Sequence, residues 1–396
     1  MKNQVYMIRK STIAGIFCLV ILLAVRSDIR AQQAVYKESR QVLKTYSFSD
    51  PDPVAAIGRI YPYFRFDKYA HNSEPRDWKL VTLENDYLKV FITPEIGGKI
   101  WGAKDKTNGK MFIYFNQVVK FRDISLRGPW TSGGIESNFG TIGHAPTCST
   151  PVDYIVQENS DSSVSCVIGA LDLFSRTSWR VEIRLPKNKA YFETNVLWHN
   201  YSALGQSYYH WMNAAARAAD DLQFFFPGNH FIGHDGVSHA WPLDNKQRDL
   251  SFYINNNFGG FKSYHVLGQY SGWFGGYYYQ DQYGFGKWSS YTDKPGKKLW
   301  IWGLSRQGMI WEDLLTDTDG QYIEWQSGRL FNQAAGSSSQ TPFKHREFPP
   351  NWSDVWQEIW FPVKETEGIS KVSPHGILNM VQAPGQIKFY FCPLQP

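Results

Sequence analysis

The sequence predicts an all-β protein with mostly antiparallel strands, because short alternating segments and turn residues recur along most of the chain. No long segment with helical periodicity competes with them, and only the alanine-rich residues 213–219 could form a turn or two of helix. Aromatic residues, which suit strands, make up 16% of the sequence. Strands without alternating helices are typical of a sandwich or a closed sheet, so we expect one of these architectures.

The predicted strands follow one another at short spacing. The first hairpin turns at residues 85 and 86, ahead of the alternating residues 88–93, and another turn follows at Thr107–Gly109. We expect residues 80–396 to form one β-domain and residues 32–79, which are polar with scattered aromatics, to be an irregular lead-in. Further strands are predicted at 163–169, 178–185, 191–199, 299–304, 321–326, 355–361 and 386–391.

The first 31 residues have the pattern of a signal peptide. Basic residues precede an apolar run from Ile13 to Val25, which is short for a membrane span. We therefore expect cleavage after Ala31, a secreted or periplasmic location, and no membrane anchor afterwards. Removing this segment lowers the formal net charge from +5 to about +1, so we expect no nucleic-acid partner.

Few residues remain that commonly form disulfides or hold metals. The three cysteines after residue 31 allow at most one intramolecular disulfide, so stability must come from a large core. Three histidines have the spacing of a metal cluster but lie on a predicted loop without strand or helix register, so we expect neither a metal nor a cofactor. These residues are Cys148, Cys166 and Cys392, and His230, His234 and His239.

Four segments place groups capable of acid–base chemistry among glycines and aromatic residues. Gly97-Gly98 predicts a tight turn or bulge rather than catalysis. Glu136 and His144 lie eight residues apart on a glycine-rich loop, where both can face one cleft. The alternative is a solvated loop on which the two side chains are incidental.

The other two segments are predicted strands. His210 follows an aromatic pair and can shuttle a proton near neutral pH, although a hydrogen-bonded core histidine is the alternative. Glu324 and Glu358 each lie next to tryptophan, and partial burial would raise their pKa and make them usable as acid or base. Aromatic rings also stack on sugars, so the candidate sugar-binding residues are Trp101, Trp130, Asn138, Trp211, Asn213, Trp325, Arg329 and Trp360.

Taken in order, several landmarks resemble those of galactose mutarotase-like (aldose 1-epimerase-like) proteins over about residues 80–395. The Gly-Gly-Ile-Glu and Gly-His-Ala-Pro sequences are most similar to a branch known only as a domain of unknown function. The resemblance implies a β-supersandwich that binds sugar on its concave face. The landmarks are Ile96–Ile100 with Asp105–Gly109, Gly133-Gly134, His210 after Trp198–Asn200, and Glu358 after Trp356-Gln357.

The resemblance also implies catalytic roles. By position, His210 would protonate the ring oxygen of the sugar and Glu358 would remove the proton of the anomeric hydroxyl. The Asn-Gly-Arg loop and the early histidine of mutarotases are not recognisable here, whereas Glu136, His144 and Glu324 are additional polar groups.

Three functions fit these residues: a glycoside hydrolase that uses two of the three glutamates, an aldose epimerase, and a non-catalytic carbohydrate-binding protein. We favour an enzyme acting on an oligosaccharide or polysaccharide, and a hydrolase before an epimerase because the carboxylates exceed what epimerisation requires. The sequence predicts that His144, His210, Glu324 and Glu358 surround one concave pocket lined by tryptophan.

Overall fold

Antiparallel β-strands dominate the computed structural model, which describes residues 33–49, 69–125, 128–140, 143–172, 175–333 and 346–396. Within these ranges the strands are interrupted by one α-helix, α1 (Arg306–Leu315), and by two turns of 3-10 helix, Pro146–Ser149 and Tyr253–Asn256. The strands in chain order are β1 (Val35–Tyr46), β2 (Glu74–Glu84), β3 (Leu88–Thr93), β4 (Lys99–Asp105), β5 (Met111–Ile113), β6 (Val118–Lys120), β7 (Arg122–Ser125), β8 (Gly128–Trp130), β9 (Ile135–Phe139), β10 (Asp153–Glu158), β11 (Val164–Leu171), β12 (Thr177–Leu185), β13 (Phe192–Asn200), β14 (Gln206–Ser207), β15 (His210–Arg217), β16 (Leu222–Phe225), β17 (His230–Ile232), β18 (Ser238–Ala240), β19 (Lys262–Leu267), β20 (Trp273–Tyr278), β21 (Tyr283–Trp288), β22 (Gly296–Ile301), β23 (Tyr322–Gly328), β24 (Glu347–Phe348), β25 (Ser353–Lys364), β26 (Lys371–Ser373), β27 (Gly376–Ala383) and β28 (Gln386–Pro393).

Two large sheets contain most of the described strands. The larger sheet has thirteen of them, in the order β18-β17-β19-β22-β23-β15-β9-β4-β3-β2-β1-β6, with β5 paired to β4. The second sheet has eight, in the order β10-β11-β12-β13-β25-β21-β20-β16. Except for the parallel pair β1 and β6, the strand pairs of both sheets are antiparallel. The predicted all-β, mostly antiparallel fold is therefore confirmed.

The core between the two sheets is built largely from aromatic rings. Trp325 of β23 packs against Trp360 of β25, with ring centroids 5.4 Å apart, and against Phe285 of β21 at 4.7 Å. Phe139 of β9 stacks on Trp179 of β12 at 5.0 Å. Burial of each such side chain contributes about 1.5–3 kcal/mol, so much of the aromatic content serves to join the sheets.

The alternating segments and turn residues predicted most of these strands correctly. β2 and β3 pair across the predicted turn at residues 85 and 86, and β4 and β5 pair across Thr107–Gly109. Gly97 and Gly98 have φ of 66° and 67° in the turn between β3 and β4, which agrees with the tight turn predicted there. The seven further predicted strands correspond to β11, β12, β13, β22, β23, β25 and β28.

Two local predictions are wrong. The alanine-rich segment 213–219 is mostly strand, because β15 pairs with β9 on one side and β23 on the other, and this pairing overrides the helix propensity of alanine. The lead-in is not irregular throughout, since β1 pairs with β2 over eleven residues. The polar composition of β1 reflects a strand with one largely exposed face.

Other sequence predictions concern the chain ends and the cysteines. The predicted signal peptide lies outside the described residues, and Gln33–Pro396 forms one compact unit. No helix in the part of the chain that the structure describes is long and apolar enough to cross a membrane. The three cysteines after residue 31 are all buried and form no disulfide with one another.

Candidate functional site

The polar residues predicted to carry chemistry are divided between the two faces of the larger sheet. Successive residues of a strand point to opposite faces, so Asn213 of β15 points away from the face that carries His210. Glu136 of β9 lies directly opposite Asn213, and Glu324 of β23 lies opposite Ala215, which shares the face of Asn213. We call the face that carries Glu136, Asn213 and Glu324 the site face, and the face turned toward the second sheet the core face.

The predicted single pocket is therefore not formed. His210 lies on the core face of β15, and Glu358 of β25 points into the same core from the second sheet, where it accepts a hydrogen bond from Ser327. His144 and Glu324 belong to the site face. The site face brings together the candidate residues Glu136, His144, Glu324, Trp130, Asn138, Trp211 and Asn213.

A buried carboxylate orients His144. Its Nδ1 donates to Oε1 of Glu136, and its ring lies 5.1 Å from the ring of Trp130 and 4.8 Å from that of Trp211. Asn138 fixes the loop, because its Oδ1 accepts a 2.6 Å hydrogen bond from the backbone N–H that follows His144. The His144 side chain is 17% exposed, and with Nδ1 bound to a carboxylate, Nε2 is the nitrogen that can exchange a proton with a bound molecule.

Glu136 has several partners and remains ionised. Its Oε2 accepts a 2.9 Å hydrogen bond from Trp130 and lies 3.6 Å from the ammonium of Lys99, and its Oε1 also accepts from Asn138 at 3.0 Å. Burial raises the pKa of this carboxyl, but His144 and Lys99 outweigh burial and hold the pKa at about 2. Glu136 is therefore a permanent anion that positions His144.

The pKa of Glu324 is shifted in the opposite direction. Burial raises it above the ordinary value, although the charges of His144 and Lys298 and the hydrogen bond from Tyr322 act against burial. The Tyr322 hydroxyl donates to Oε1 at 2.8 Å, and Gln326 donates to Oε2 at 2.7 Å. Two neighbouring carboxyls whose pKa values are driven apart are characteristic of acid–base sites.

Two buried lysines complete the charge of the site face. Lys99 donates to the backbone oxygen of Thr131 at 2.6 Å, and Lys298 of β22 donates to Gln333 at 2.5 Å and lies 4.8 Å from the ring centre of Trp300. Burial lowers the pKa of both lysines, that of Lys298 to about 7. Sequence reasoning missed them because lysine is normally a surface residue, and the sequence pattern gives no signal of their burial.

Several buried polar atoms on the site face have no hydrogen-bond partner among the described residues. Two of them are Oδ1 of Asn213 and Nε1 of Trp300. Trp300 lies directly opposite Glu324 in the pairing of β22 with β23, which places the two Cβ atoms about 5 Å apart. An unpaired buried polar group costs about 1–3 kcal/mol, so both atoms are suited to be paired by a polar ligand.

Glu358 is part of a buried ion cluster in the core. Lys287 and Ser327 donate to its Oε1, and the ammonium of Lys294 lies 3.3 Å from its Oε2. Burial raises the pKa of Glu358, but the two lysines outweigh burial and hold the pKa at about 2. These contacts give Glu358 a structural role, with two lysines as its charged partners.

His210 also belongs to the core. Its ring packs 4.6 Å from Phe139 and 4.5 Å from Trp356, and Lys294 lies 2.8 Å from Nε2. Burial and the charges of Lys294 and Arg329 place the pKa of His210 well below its ordinary value. A neutral imidazole whose Nε2 accepts from Lys294 is not available as a proton donor, so the alternative of a hydrogen-bonded core histidine is favoured.

The remaining candidate sugar-binding residues also have structural contacts. Trp101 donates to the backbone oxygen of Asn116 at 2.9 Å and is buried in a hydrophobic cluster, with its ring centre 5.8 Å from the ammonium of Lys99. Trp325 and Trp360 fill the core between the sheets. Arg329 forms a two-pronged ion pair with Asp354 of β25, with hydrogen bonds of 2.9 and 2.7 Å, and this pair gives Arg329 a structural role.

No group of three or more histidine, cysteine, aspartate or glutamate side chains in the described ranges is arranged to hold a metal ion. Among the three histidines that follow β16, His234 lies against the backbone oxygen of Gln333, and burial lowers its pKa to about 3. His239 stacks on Phe231 at 5.0 Å. His230 and His239 lie on the paired strands β17 and β18 rather than on the predicted loop.

Comparison with solved structures identifies the fold. A proposed aldose 1-epimerase from Klebsiella pneumoniae aligns with 10% identity over 84% of this chain and 93% of that chain, with a TM-score of 0.52. A galactose mutarotase-like protein from Clostridium acetobutylicum aligns with 10% identity over 72% of this chain and 96% of that chain, with a TM-score of 0.51. The chain therefore has the galactose mutarotase-like β-sandwich fold.

A sequence comparison identifies the family within this fold. The sequence model of the family described as a domain of unknown function, DUF5107, matches residues 55–363, so the chain belongs to that family. A TPR-domain containing protein from Parabacteroides distasonis is 24% identical, with a TM-score of 0.73 over 84% of this chain. The alignment covers 56% of that protein, so this chain matches little more than half of its length.

Proposed function

We propose that this protein binds an aldose on the site face and interconverts its two anomers, with His144 as acid and Glu324 as base. The proposal rests on one observation: an oriented histidine and a carboxyl of raised pKa share a buried, tryptophan-lined face of the larger sheet. One acid and one base are all that ring opening at an anomeric carbon requires.

The chemistry follows from the two groups. Ionised Glu324 removes the proton of the anomeric hydroxyl while Nε2 of protonated His144 donates a proton to the ring oxygen. The bond between the anomeric carbon and the ring oxygen breaks, giving the open-chain aldehyde. Rotation about the next carbon–carbon bond and reclosure on the other face return both protons, so that His144 and Glu324 end as they began.

A glycoside hydrolase, the function that sequence analysis placed first, fits the site less well. Hydrolysis by a carboxyl pair needs two carboxyls that act on the substrate. Glu136 and Glu358 are each held ionised with a pKa of about 2, and Glu358 lies in the core, so Glu324 is the one candidate glutamate whose pKa is raised.

The surroundings of the two groups favour a neutral, hydroxyl-rich ligand. The carboxyls of Glu136 and Glu324 lie near the ammonium groups of Lys99 and Lys298, so the site face does not present charge of a single sign. Tryptophan rings present flat apolar surfaces that suit a sugar ring. The signal peptide and the export that it would direct are predictions from the sequence. An exported protein would meet free sugars and the ends of oligosaccharides.

The test is anomer-resolved proton NMR of the purified protein with a panel of aldoses and oligosaccharides. We expect faster exchange between the α and β signals of at least one sugar and no new reducing ends. Release of reducing ends would establish hydrolysis and contradict the proposal. Binding by calorimetry without faster exchange would establish a non-catalytic carbohydrate-binding protein instead.

A further inference from the structure

An exposed aromatic ring lies at the outer end of the site face. Phe261 is 56% exposed, and one face of its ring is stacked on Trp300, with centroids 4.5 Å apart and planes 11° apart. Trp300 is the residue directly opposite Glu324. The stacked rings of Trp300 and Phe261 therefore extend from Glu324, the proposed base, toward solvent. The face of the Phe261 ring that does not contact Trp300 is available to a ligand.

The loop that carries Phe261 is fixed by several contacts. Ser305, at the start of α1, donates to the backbone oxygen of Gly259. Lys262 donates to the backbone oxygen of Gly260 at 3.0 Å and also to that of Phe258, and its ammonium lies 4.2 Å from the ring centre of Phe258. These bonds hold the backbone on both sides of the exposed ring.

Close approach of the turn between β22 and α1 to this loop requires a glycine. Gly303 has a φ of +89°, and a Cβ at this position would lie 2.4 Å from the backbone oxygen of Gly260. A larger residue at 303 would be strained and would displace the loop. The fold thus holds an exposed phenylalanine in a defined position, which lowers the entropy lost when a ligand stacks on it.

We propose that Phe261, supported by Trp300, is a second sugar-binding subsite, so that the preferred substrate is an oligosaccharide whose reducing-end residue lies at Glu324 and whose next residue stacks on Phe261. This inference rests on the proposed function of the site face. A sugar offers an apolar ring face that matches an exposed aromatic face, and continuity with the proposed site argues for this occupant over an unrelated partner.

The experiment compares matched sugars of increasing length. Binding to the full-length protein is measured by calorimetry, and turnover by anomer-resolved NMR, with glucose, galactose, mannose and xylose and with their β-1,4-linked di- and trisaccharides. The variants are Phe261→Ala, the conservative Phe261→Tyr, and the control Phe389→Ala. Phe389 is 66% exposed on β28, in the separate sheet of β26, β27 and β28.

We expect Phe261→Ala to weaken binding of di- and trisaccharides about tenfold and of monosaccharides less than twofold, since one stacked ring is lost. Phe261→Tyr and Phe389→Ala should bind as the wild type does. Equal losses for all sugar lengths, or no loss, would overturn the subsite and leave the proposed function intact. Absence of any sugar binding by the wild-type protein would instead overturn the proposed function and the subsite with it.

Discussion

Replacing Glu358 with glutamine would leave two buried lysines without their counter-charge. The carboxylate of Glu358 accepts from Lys287 and lies 3.3 Å from the ammonium of Lys294. The three side chains are almost completely inaccessible to water, so solvent cannot replace the lost interaction. Removing one partner of a buried ion pair costs about 3–5 kcal/mol because the remaining charge stays buried.

The lowered pKa of Glu358 agrees with a cost of this size. A fall from the ordinary 4.5 to about 2 corresponds to about 3 kcal/mol of stability at neutral pH. Because the folded-state pKa is lowered, this contribution is complete above pH 4.5 and is lost as the pH falls toward 2. For roughly 360 folded residues, a loss of 3 kcal/mol lowers the melting temperature by about 4 °C.

The assay is thermal unfolding of the wild type and Glu358→Gln at several pH values. We expect a lower melting temperature for the variant near pH 7 and a difference that shrinks between pH 4.5 and 3. Glu358→Gln combined with Lys287→Met should recover part of the loss, because the second change removes a charge that the first left unpaired. An unchanged melting temperature at pH 7 would refute the assignment of Glu358 to a structural ion cluster.

Three further predictions concern the site face. Glu136→Gln should lower turnover on the order of 10²-fold and leave the KM for the sugar within about twofold, because Glu136 orients His144 rather than contacting the sugar. Steady-state NMR rates, recorded below the melting temperature at several sugar concentrations, measure turnover and KM separately. The rate should also fall at acidic pH as Glu324 becomes protonated, at a pH above the ordinary glutamate pKa. Tyr322→Phe removes a hydrogen bond that lowers the pKa of Glu324, so this acidic limb should move upward by about one pH unit or more; an unmoved limb would exclude Glu324 as the titrating base.

Much of the fold could be predicted from local sequence patterns. Alternation and turn residues located the hairpins because a half-buried antiparallel strand imposes a two-residue period. The failures came where tertiary pairing decides the outcome, as in the alanine-rich β15, whose backbone hydrogen bonds are supplied by β9 and β23. The polar strand β1 was missed because its buried side chains are confined to its C-terminal end and most of its other residues are polar and exposed.

The candidate site could be predicted only in part. The segments that carry Glu136, His144 and Glu324 were recognised from polar residues among glycines and aromatics, and the structure brings these residues to one face. The two-residue period of a strand places His210 and Asn213 on opposite faces of β15. Both faces are buried, so hydropathy could not indicate which face binds a ligand. The positional resemblance to mutarotases favoured His210 and Glu358, and both lie in the core.

The partners of the core residues were also beyond sequence reasoning. Arg329 pairs with Asp354, which lies 25 residues further along the chain and on a strand of the second sheet. Lys287 and Lys294 come from β21 and the loop after it, and only the pairing of β21 with β25 brings them to Glu358. Long-range strand order decides such contacts, and the sequence pattern within a strand does not encode it.

The most direct test of the central claim makes the same substitution on the site face and in the core between the two sheets. Anomer exchange of a sugar that the wild type accepts is measured by proton NMR with Glu324→Gln and Glu358→Gln, both kept folded below their melting temperatures. We predict a loss on the order of 10²- to 10⁴-fold for Glu324→Gln and a loss of less than threefold for Glu358→Gln. Wild-type exchange by folded Glu324→Gln, with activity lost in folded Glu358→Gln, would contradict the assignment of catalysis to the site face.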